Sequence, residues 1–398
     1  MLTLLRDRRA IALLLAASLT ILSNSLISPA LPGIEALYAG EENAALLARL
    51  LVTAPSLMVA ILAPFAGAMA DRFGRRPQLI AGVALFAIAG TAGLYLPSLH
   101  LLLVSRLVLG VAVALIMTAQ TALIGDYFTG RLRASFMGLQ IAATNFGGLV
   151  FLVLAGWLAA LSPLGPFVIY GIALVYLPVM LFGLTRAGRM AGGAQPAATE
   201  GEGGWVATLA LVVFLAGMCF VCFYLLPTQA PYFLATLGHP EPQAAGLLMG
   251  SMTLAGGTVS LFFGPVRLRL GRAGTPALGF LCFAAGFLLF SAAAGFGMTL
   301  AGAACIGAGG GLLMPTFLGL AVEVAPAHRR GLAAGAITTS VFAGQFASPL
   351  LSTPLIASHG YPATFALTGG LLILLALIAL TGLRPRRDRP AEPIHIPA

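Results

Sequence analysis

Nineteen of the twenty-one basic residues of this 398-residue chain fall in seven short clusters, and every one is an arginine. The clusters are Arg6/Arg8/Arg9, Arg72/Arg75/Arg76, Arg131/Arg133, Arg186/Arg189, Arg267/Arg269/Arg272, Arg329/Arg330 and Arg384/Arg386/Arg387/Arg389. Intervals of 52 to 77 almost uncharged, strongly apolar residues separate them. A helix crossing a bilayer needs roughly 20 apolar residues, so each interval holds two spans and a turn. Arginine-rich loops stay on the cytoplasmic side. Seven clusters joined by six excursions give an all-α membrane protein of twelve spans, with both termini in the cytoplasm.

The composition excludes the soluble classes. The chain is 59% hydrophobic and 8% charged, with a mean hydropathy of +1.00. A water-facing surface needs far more charge. The net charge of +9 is spread one cluster per loop, which reads as topology and contact with anionic lipid and not as a nucleic-acid surface. The first apolar stretch, about 10–31, is too long for a signal peptide and lacks a small-residue cleavage site, so it reads as a retained first helix. Cys219, Cys222, Cys282 and Cys305 all sit in apolar segments without a histidine cluster. They read as free buried thiols, and neither a metal nor a cofactor is expected.

The spans are expected near 10–31, 45–69, 77–96, 101–125, 134–160, 167–184, 205–226, 244–266, 276–294, 299–322, 332–356 and 362–383. A Gly/Ala-rich polar stretch over 185–204 has the composition of a linker. It divides the chain into a six-helix bundle over 1–184, a second over 205–383, and a tail over 384–398. An internal repeat supports the division. At an offset of 197, Gly67 falls on Gly264, Arg72 on Arg269, Gly74 on Gly271, Arg75 on Arg272, Asp126 on Glu323, Arg133 on Arg330 and Gly138 on Gly335. Paired pseudo-symmetric halves around a midplane site are a transporter architecture.

Between the second and third expected spans stands Gly67-Ala-Met-Ala-Asp71-Arg72-Phe-Gly74-Arg75-Arg76-Pro77. Gly67 permits close helix approach, Asp71 can accept from arginines or a helix N-terminus, and Gly74 permits a tight turn. Asp126 and Arg133, at the ends of the fourth and fifth spans, are placed to join a charged network with Arg75 or Arg76. This loop resembles the signature of the major facilitator superfamily, and a decayed copy, Gly264 to Arg272 with Leu268 in the place of Asp71, extends the resemblance to the second half. The resemblance implies a network that latches the cytoplasmic side shut in one state. A plainer reading is that these charges only stop helices and set topology.

No carboxylate or histidine is expected in mid-span. Glu35, just past Pro32, is the candidate near the external mouth, and a solvated loop acid is its plainer reading. Arg106 is read as the one charge inside a span, roughly 10 Å along the fourth. Burying it costs a few kcal/mol, about 3, unless it is paired or faces water. It resembles the span-4 arginine of superfamily exporters, where the residue is thought to assist proton transfer. Three roles stay open: contact with an anionic substrate group, tuning of Glu35, or a structural one in which it snorkels outward or ties backbone carbonyls. Helical spacing groups Thr20, Asn24 and Ser28; Arg106, Gly110, Val113, Met117 and Gln120; Gln140 and Thr144; Phe220 and Tyr224; and Thr338, Val341 and Gln345. Unpaired amides facing lipid are costly, so these faces are expected to point inward, toward a cavity or a neighbouring helix.

Relatives that export drugs carry Gly-Pro and Gly-Gly pairs late in the fifth span, where this chain has Phe151-Leu152 and Ala155-Gly156. That departure puts proton-coupled drug efflux in doubt. The expectation is a monomeric, multi-pass inner-membrane secondary transporter. It would move a small organic solute by alternating access, with efflux as the favoured direction and protons as the candidate coupling ion. A facilitator or importer of a small anionic metabolite, anchored by Arg106, is the first alternative. A non-transporting membrane receptor or scaffold is the second. Neither a nucleophile–base pair nor a nucleotide-binding loop is present, so an enzyme or ATP-driven pump is not expected.

Overall fold

The structure, a computed structural model, describes residues 6–184 and 204–384. The side chains of Asn24, Asp71 and Arg131 lie outside the described residues, as do Arg186, Arg189, most of the expected linker and the tail. Among the described residues every regular element is helical. In chain order they are α1 (Arg8–Ser25), α2 (Leu31–Leu37), α3 (Ala44–Phe73), α4 (Arg75–Gly90), α5 (Leu99–Tyr127), α6 (Gly130–Leu161), α7 (Ile172–Gly183), α8 (Trp205–Thr236), α9 (Pro242–Leu261), α10 (Phe263–Ser291), α11 (Phe296–Val324) and α12 (Arg330–Gly382). Short 3-10 turns lie between several of them.

Ten described segments are long and apolar enough to cross a membrane. The count departs from twelve at the two ends of the chain. The first expected span is broken: α1 stops at Ser25, and a 3-10 turn over Ser28–Ala30, with Pro29 inside it, leads into α2. Helix α12 holds the last two expected spans as two helical segments on either side of Gly360, which count as one segment only because no gap separates them. Its 53 residues would extend about 80 Å if straight, against roughly 30 Å of hydrocarbon. It is bent at Gly360, whose φ of +76° is left-handed backbone that a side chain would strain. The same device recurs at repeat-equivalent sites. Gly74 (φ +95°) separates α3 from α4, and Gly271 (φ +67°) kinks α10.

Large apolar side chains cover the outside, among them Phe182, Leu161, Val175 and Phe214. That surface suits hydrocarbon contact, and the protein is a multi-pass membrane protein. Inside, packing is by phenylalanines such as Phe280, Phe283, Phe287 and Phe365. Helices α1 to α7 pack mainly on one another, as do α8 to α12. The extensive contacts between the two groups run along two seams, α3 against α12 and α6 against α9.

Candidate functional site

The two seams are built from different chemistry. Along α6 and α9 the helices touch backbone to backbone. A Cβ on Gly246 would stand 2.8 Å from the Leu152 carbonyl oxygen, and one on Gly156 would stand 2.9 Å from the Pro242 oxygen. Only glycine fits such an approach. Along α3 and α12 the contact is polar. Ser56 Oγ bonds Gln345 Oε1 at 2.6 Å, and Thr339 Oγ1 donates to the Ala60 carbonyl at 3.4 Å. Thr53 and Ser348 sit buried on the same helices, their hydroxyls without a hydrogen-bond partner among the described residues.

Both seams are shut at the end opposite the arginine clusters. There Arg49, one of the two arginines outside the clusters, lies about five residues into α3, or roughly 8 Å from its start. It is 9% exposed. Its Nη1 pairs with Glu35 Oε2 at 3.3 Å, and its Nε donates to Gln229 Oε1 on α8 at 3.3 Å. Its guanidinium carbon stands 4.0 Å from the ring centroid of Tyr232. Gln229 in turn donates to Ser352 Oγ at 3.2 Å and Thr353 Oγ1 at 3.1 Å on α12. One side chain thus ties α2, α3 and α8 together. A second tie lies close by. Pro231 has no N–H, which leaves the Pro227 carbonyl without its partner in the helix, and Ser28 Oγ donates to that oxygen.

At the opposite, arginine-bearing end the seams part. Cβ atoms placed on Gly67, Gly138, Gly264 or Gly335 would meet nothing within 4 Å. Phe65, Met69 and Phe73 on α3 are exposed. Between α6 and α9 a cleft opens, lined by Ile141, Asn145, Phe146, Leu254, Gly257, Thr258 and Leu261. Arg75 pairs with Asp126, and Arg76 Nη2 donates to the Leu181 carbonyl at 2.6 Å. Arg267 pairs with Glu323 at 2.9 Å. Arg72 and Arg133 are exposed, and Arg133 makes no ion pair among the described residues. The Arg75–Asp126 and Arg267–Glu323 pairs each lie within one helix group.

Arg106 does not face the seams. It is fully buried in α5. Its Nη2 donates to the carbonyls of Ala89 (3.2 Å) and Gly90 (2.8 Å), and its guanidinium lies 4.8 and 4.9 Å from the rings of Phe167 and Tyr170. Ala89 and Gly90 close α4, where backbone carbonyls carry partial negative charge. A helix end and two aromatic faces therefore hold this cation. Its position corresponds to the structural tie among the three roles, and Glu35 pairs with Arg49 instead.

The expectation of a single in-span arginine is corrected by Arg49. The signal was present, since Arg49 stood inside the expected second span without a cluster of its own. The other expected residues divide. Gln345 joins the α3–α12 seam, whereas Gln120 Nε2 donates to the Leu13 carbonyl at 2.9 Å and so ties α5 to α1. Tyr224 is 7% exposed and lies beside Phe220 and Phe223. Gln140 and Thr144 are half-buried on α6. Gln78 was not expected. Its buried amide donates to the Ala66 and Leu115 carbonyls and to Thr118 Oγ1, knitting α3, α4 and α5 together.

Comparison with known proteins gives a consistent result. A tetracycline resistance protein, class D, from Salmonella ordonez is 27% identical over 359 residues, covering 87% of this chain and 89% of that protein. Multidrug resistance protein 1 of Bacillus subtilis (strain 168) is 31% identical over 107 residues, so the match spans only 27% of this chain and 28% of that relative. Among solved structures, a D-xylose-proton symporter superposes with a TM-score of 0.77 at 18% identity, covering 95% of this chain and 98% of that one. The human organic anion transporter MFSD10 superposes at 0.72, also at 18% identity, covering 94% and 99%. These likenesses establish the fold. The sequence model of the Major Facilitator Superfamily matches twice, over residues 13–240 and 209–397. Its members are transporters and not enzymes, and this chain, with its two matched stretches and its helical membrane fold, belongs to the Major Facilitator Superfamily.

Proposed function

We propose that this chain exports a small organic solute across the inner membrane by alternating access, in exchange for protons. The proposal takes twelve spans in two six-helix halves, residues 1–184 and 205–383, with the arginine-bearing end and both termini in the cytoplasm. One observation carries the reading. Arg49 bridges Glu35 and Gln229 at the far end, while Gly67, Gly138, Gly264 and Gly335 stand open at the arginine-bearing end. A gate shut outside with a mouth open inside is one half of an alternating-access cycle. The relatives' names record resistance to tetracycline and to several drugs, which supports export.

Glu35 is the proton acceptor in this reading. As a carboxylate it holds Arg49 in place, and a proton on it cancels the pair and loosens the gate. The groups facing it are Arg49 on α3, Tyr232 on α8 and Tyr361 on α12. The loop network of Gly67, Asp71, Arg72, Gly74, Arg75, Arg76, Asp126 and Arg133 forms the inner latch in the complementary state. Gln345, Tyr224, Gln140 and Asn24 are carried as cavity candidates. Gln120 serves packing, and the burial of Arg106 removes the support for an anionic cargo anchored there.

The test is transport in proteoliposomes under an imposed pH gradient, with solutes first screened for thermal stabilisation of the purified protein. Wild type should accumulate the solute uphill. Glu35→Gln should keep solute exchange and lose the gradient-driven component. Equal accumulation by Glu35→Gln removes Glu35 from coupling. A protein that moves none of the solutes that stabilise it is a receptor.

A further inference from the structure

The surroundings of Arg49 form a complete receptor for an organic cation. A carboxylate oxygen stands at 3.3 Å, an amide oxygen at 3.3 Å, and an aromatic face at 4.0 Å from the guanidinium carbon. Tyr361 on α12 stands near the same group, its ring centroid 5.4 Å from that of Phe233 on α8. These are the three recognitions an amine or guanidinium takes: charge, hydrogen bond and ring quadrupole. Their ownership matters more than their number. Gln229 and Tyr232 lie on α8 and Tyr361 on α12, so most of the box belongs to the carboxy-terminal helices, while the guanidinium that fills it arrives on α3. The Tyr232 hydroxyl is buried within this wall and has no hydrogen-bond partner among the described residues. When α3 moves away from α8 and α12 the cation leaves with it. An aromatic and amide surface that has just been filled by a guanidinium is then open to another.

Resting on the export reading above, we propose that Glu35, Gln229, Tyr232 and Tyr361 form an exit site for organic cations, which Arg49 occupies in its closed state. Arg49 is then a tethered competitor. It fills the site when the outer gate shuts, expelling a bound cation outward and blocking its return. The cargo class that benefits is a monocation with an aromatic or apolar body, able to stack on Tyr232 and bond Gln229, and to meet Glu35 of α2 as the amino-terminal helices close on it. A neutral solute gains nothing from the box.

Chemical complementation tests this in the full-length protein. Arg49→Ala and Arg49→Met leave the box empty, the second retaining apolar bulk should the first fold poorly. Purified variants are titrated with guanidinium chloride at low millimolar concentration, with phenylguanidine, and with the neutral isostere phenylurea, following thermal unfolding and calorimetric binding. Both cations should raise the unfolding midpoint saturably in the Arg49 variants and by much less in wild type, where they must first displace Arg49. Phenylguanidine should bind at least about tenfold tighter than phenylurea, because only the cation gains the ring face and the carboxylate. Adding Glu35→Gln or Tyr232→Ala to the Arg49 variant should abolish the response.

A second measurement does not depend on the Arg49 variants. In otherwise wild-type protein carrying Ser28→Cys, phenylguanidine should speed maleimide labelling of that buried position over the native-cysteine background, and phenylurea should not. Equal responses to cation and isostere, or a response that survives Glu35→Gln, overturns the proposal. Cation binding without solute transport would uphold the box and defeat the export reading. Transport of neutral solutes with no cation response would do the reverse.

Discussion

Gly246→Ala should push the protein out of the state in which the far end is shut. The added Cβ would lie 2.8 Å from the Leu152 carbonyl oxygen and 3.0 Å from the Gly156 Cα, and both of these are backbone atoms. Ordinary van der Waals contact begins at 3.4 Å, so α6 and α9 must part by about 0.6 Å (3.4 − 2.8), and no side chain can turn aside to absorb it. Overpacking of this kind costs about 1–3 kcal/mol. That cost falls only on the state in which the seam is closed, so the equilibrium should move toward the far-end-open state by about 5- to 150-fold. Gly67→Ala is the internal control. Nothing lies within 4 Å of its Cβ position, so it should leave this state alone. Spin labels at Leu37 and Leu247, both exposed and on opposite sides of the seams, report the far-end distance by pulsed electron resonance. The long-distance population should grow in Gly246→Ala and should not grow in Gly67→Ala, whose glycine belongs to the latch of the complementary state. If Gly246→Ala keeps the wild-type distribution while remaining folded, the glycine contact does not hold the gate, and the account of the seam is wrong.

Three further outcomes follow from local geometry. Arg106→Leu should lower thermal stability by about 2–3 kcal/mol, through the lost charge-assisted bonds to Ala89 and Gly90, without changing selectivity by cargo charge; a melt and a competition series against anionic solutes check both parts. The Leu99 backbone N–H, together with His100, holds the Glu41 carboxyl below its ordinary value of 4.5. Because the folded value is depressed, Glu41 lends its stability fully above pH 4.5 and loses it as the pH falls through that lower value, so the protection factors of amides in the first turn of α5, referred to the intrinsic exchange rate at each pH, should fall in acid, and Glu41→Gln should flatten the dependence. Gly74→Ala and Gly271→Ala should each destabilise by about 1–2 kcal/mol, because each places a side chain on left-handed backbone; parallel melts of the two variants compare the repeat-equivalent turns.

The helical membrane class and the superfamily were legible in the chain alone. Arginines cannot rest in hydrocarbon without partners, so their spacing marks where apolar helices end. The loop from Gly67 to Pro77 carries its signature locally, and the equivalent positive-φ positions at Gly74 and Gly271 follow from a repeat visible at one offset. The turn expected over 359–362 is where the backbone turns at Gly360, but the break at Ser28, inside the first expected span, was not legible. Local proline geometry decides it, whereas hydropathy averages over it. Arg49 and Arg106 show the limit most plainly. By sequence both are lone arginines in apolar helices. Which of them meets Glu35 and the opposing helices, and which is capped by the end of α4, depends on the rotation and crossing of helices far apart in the chain. Hydropathy constrains where a helix lies. The partner its polar face meets is set by packing between helices, and that was settled only in three dimensions.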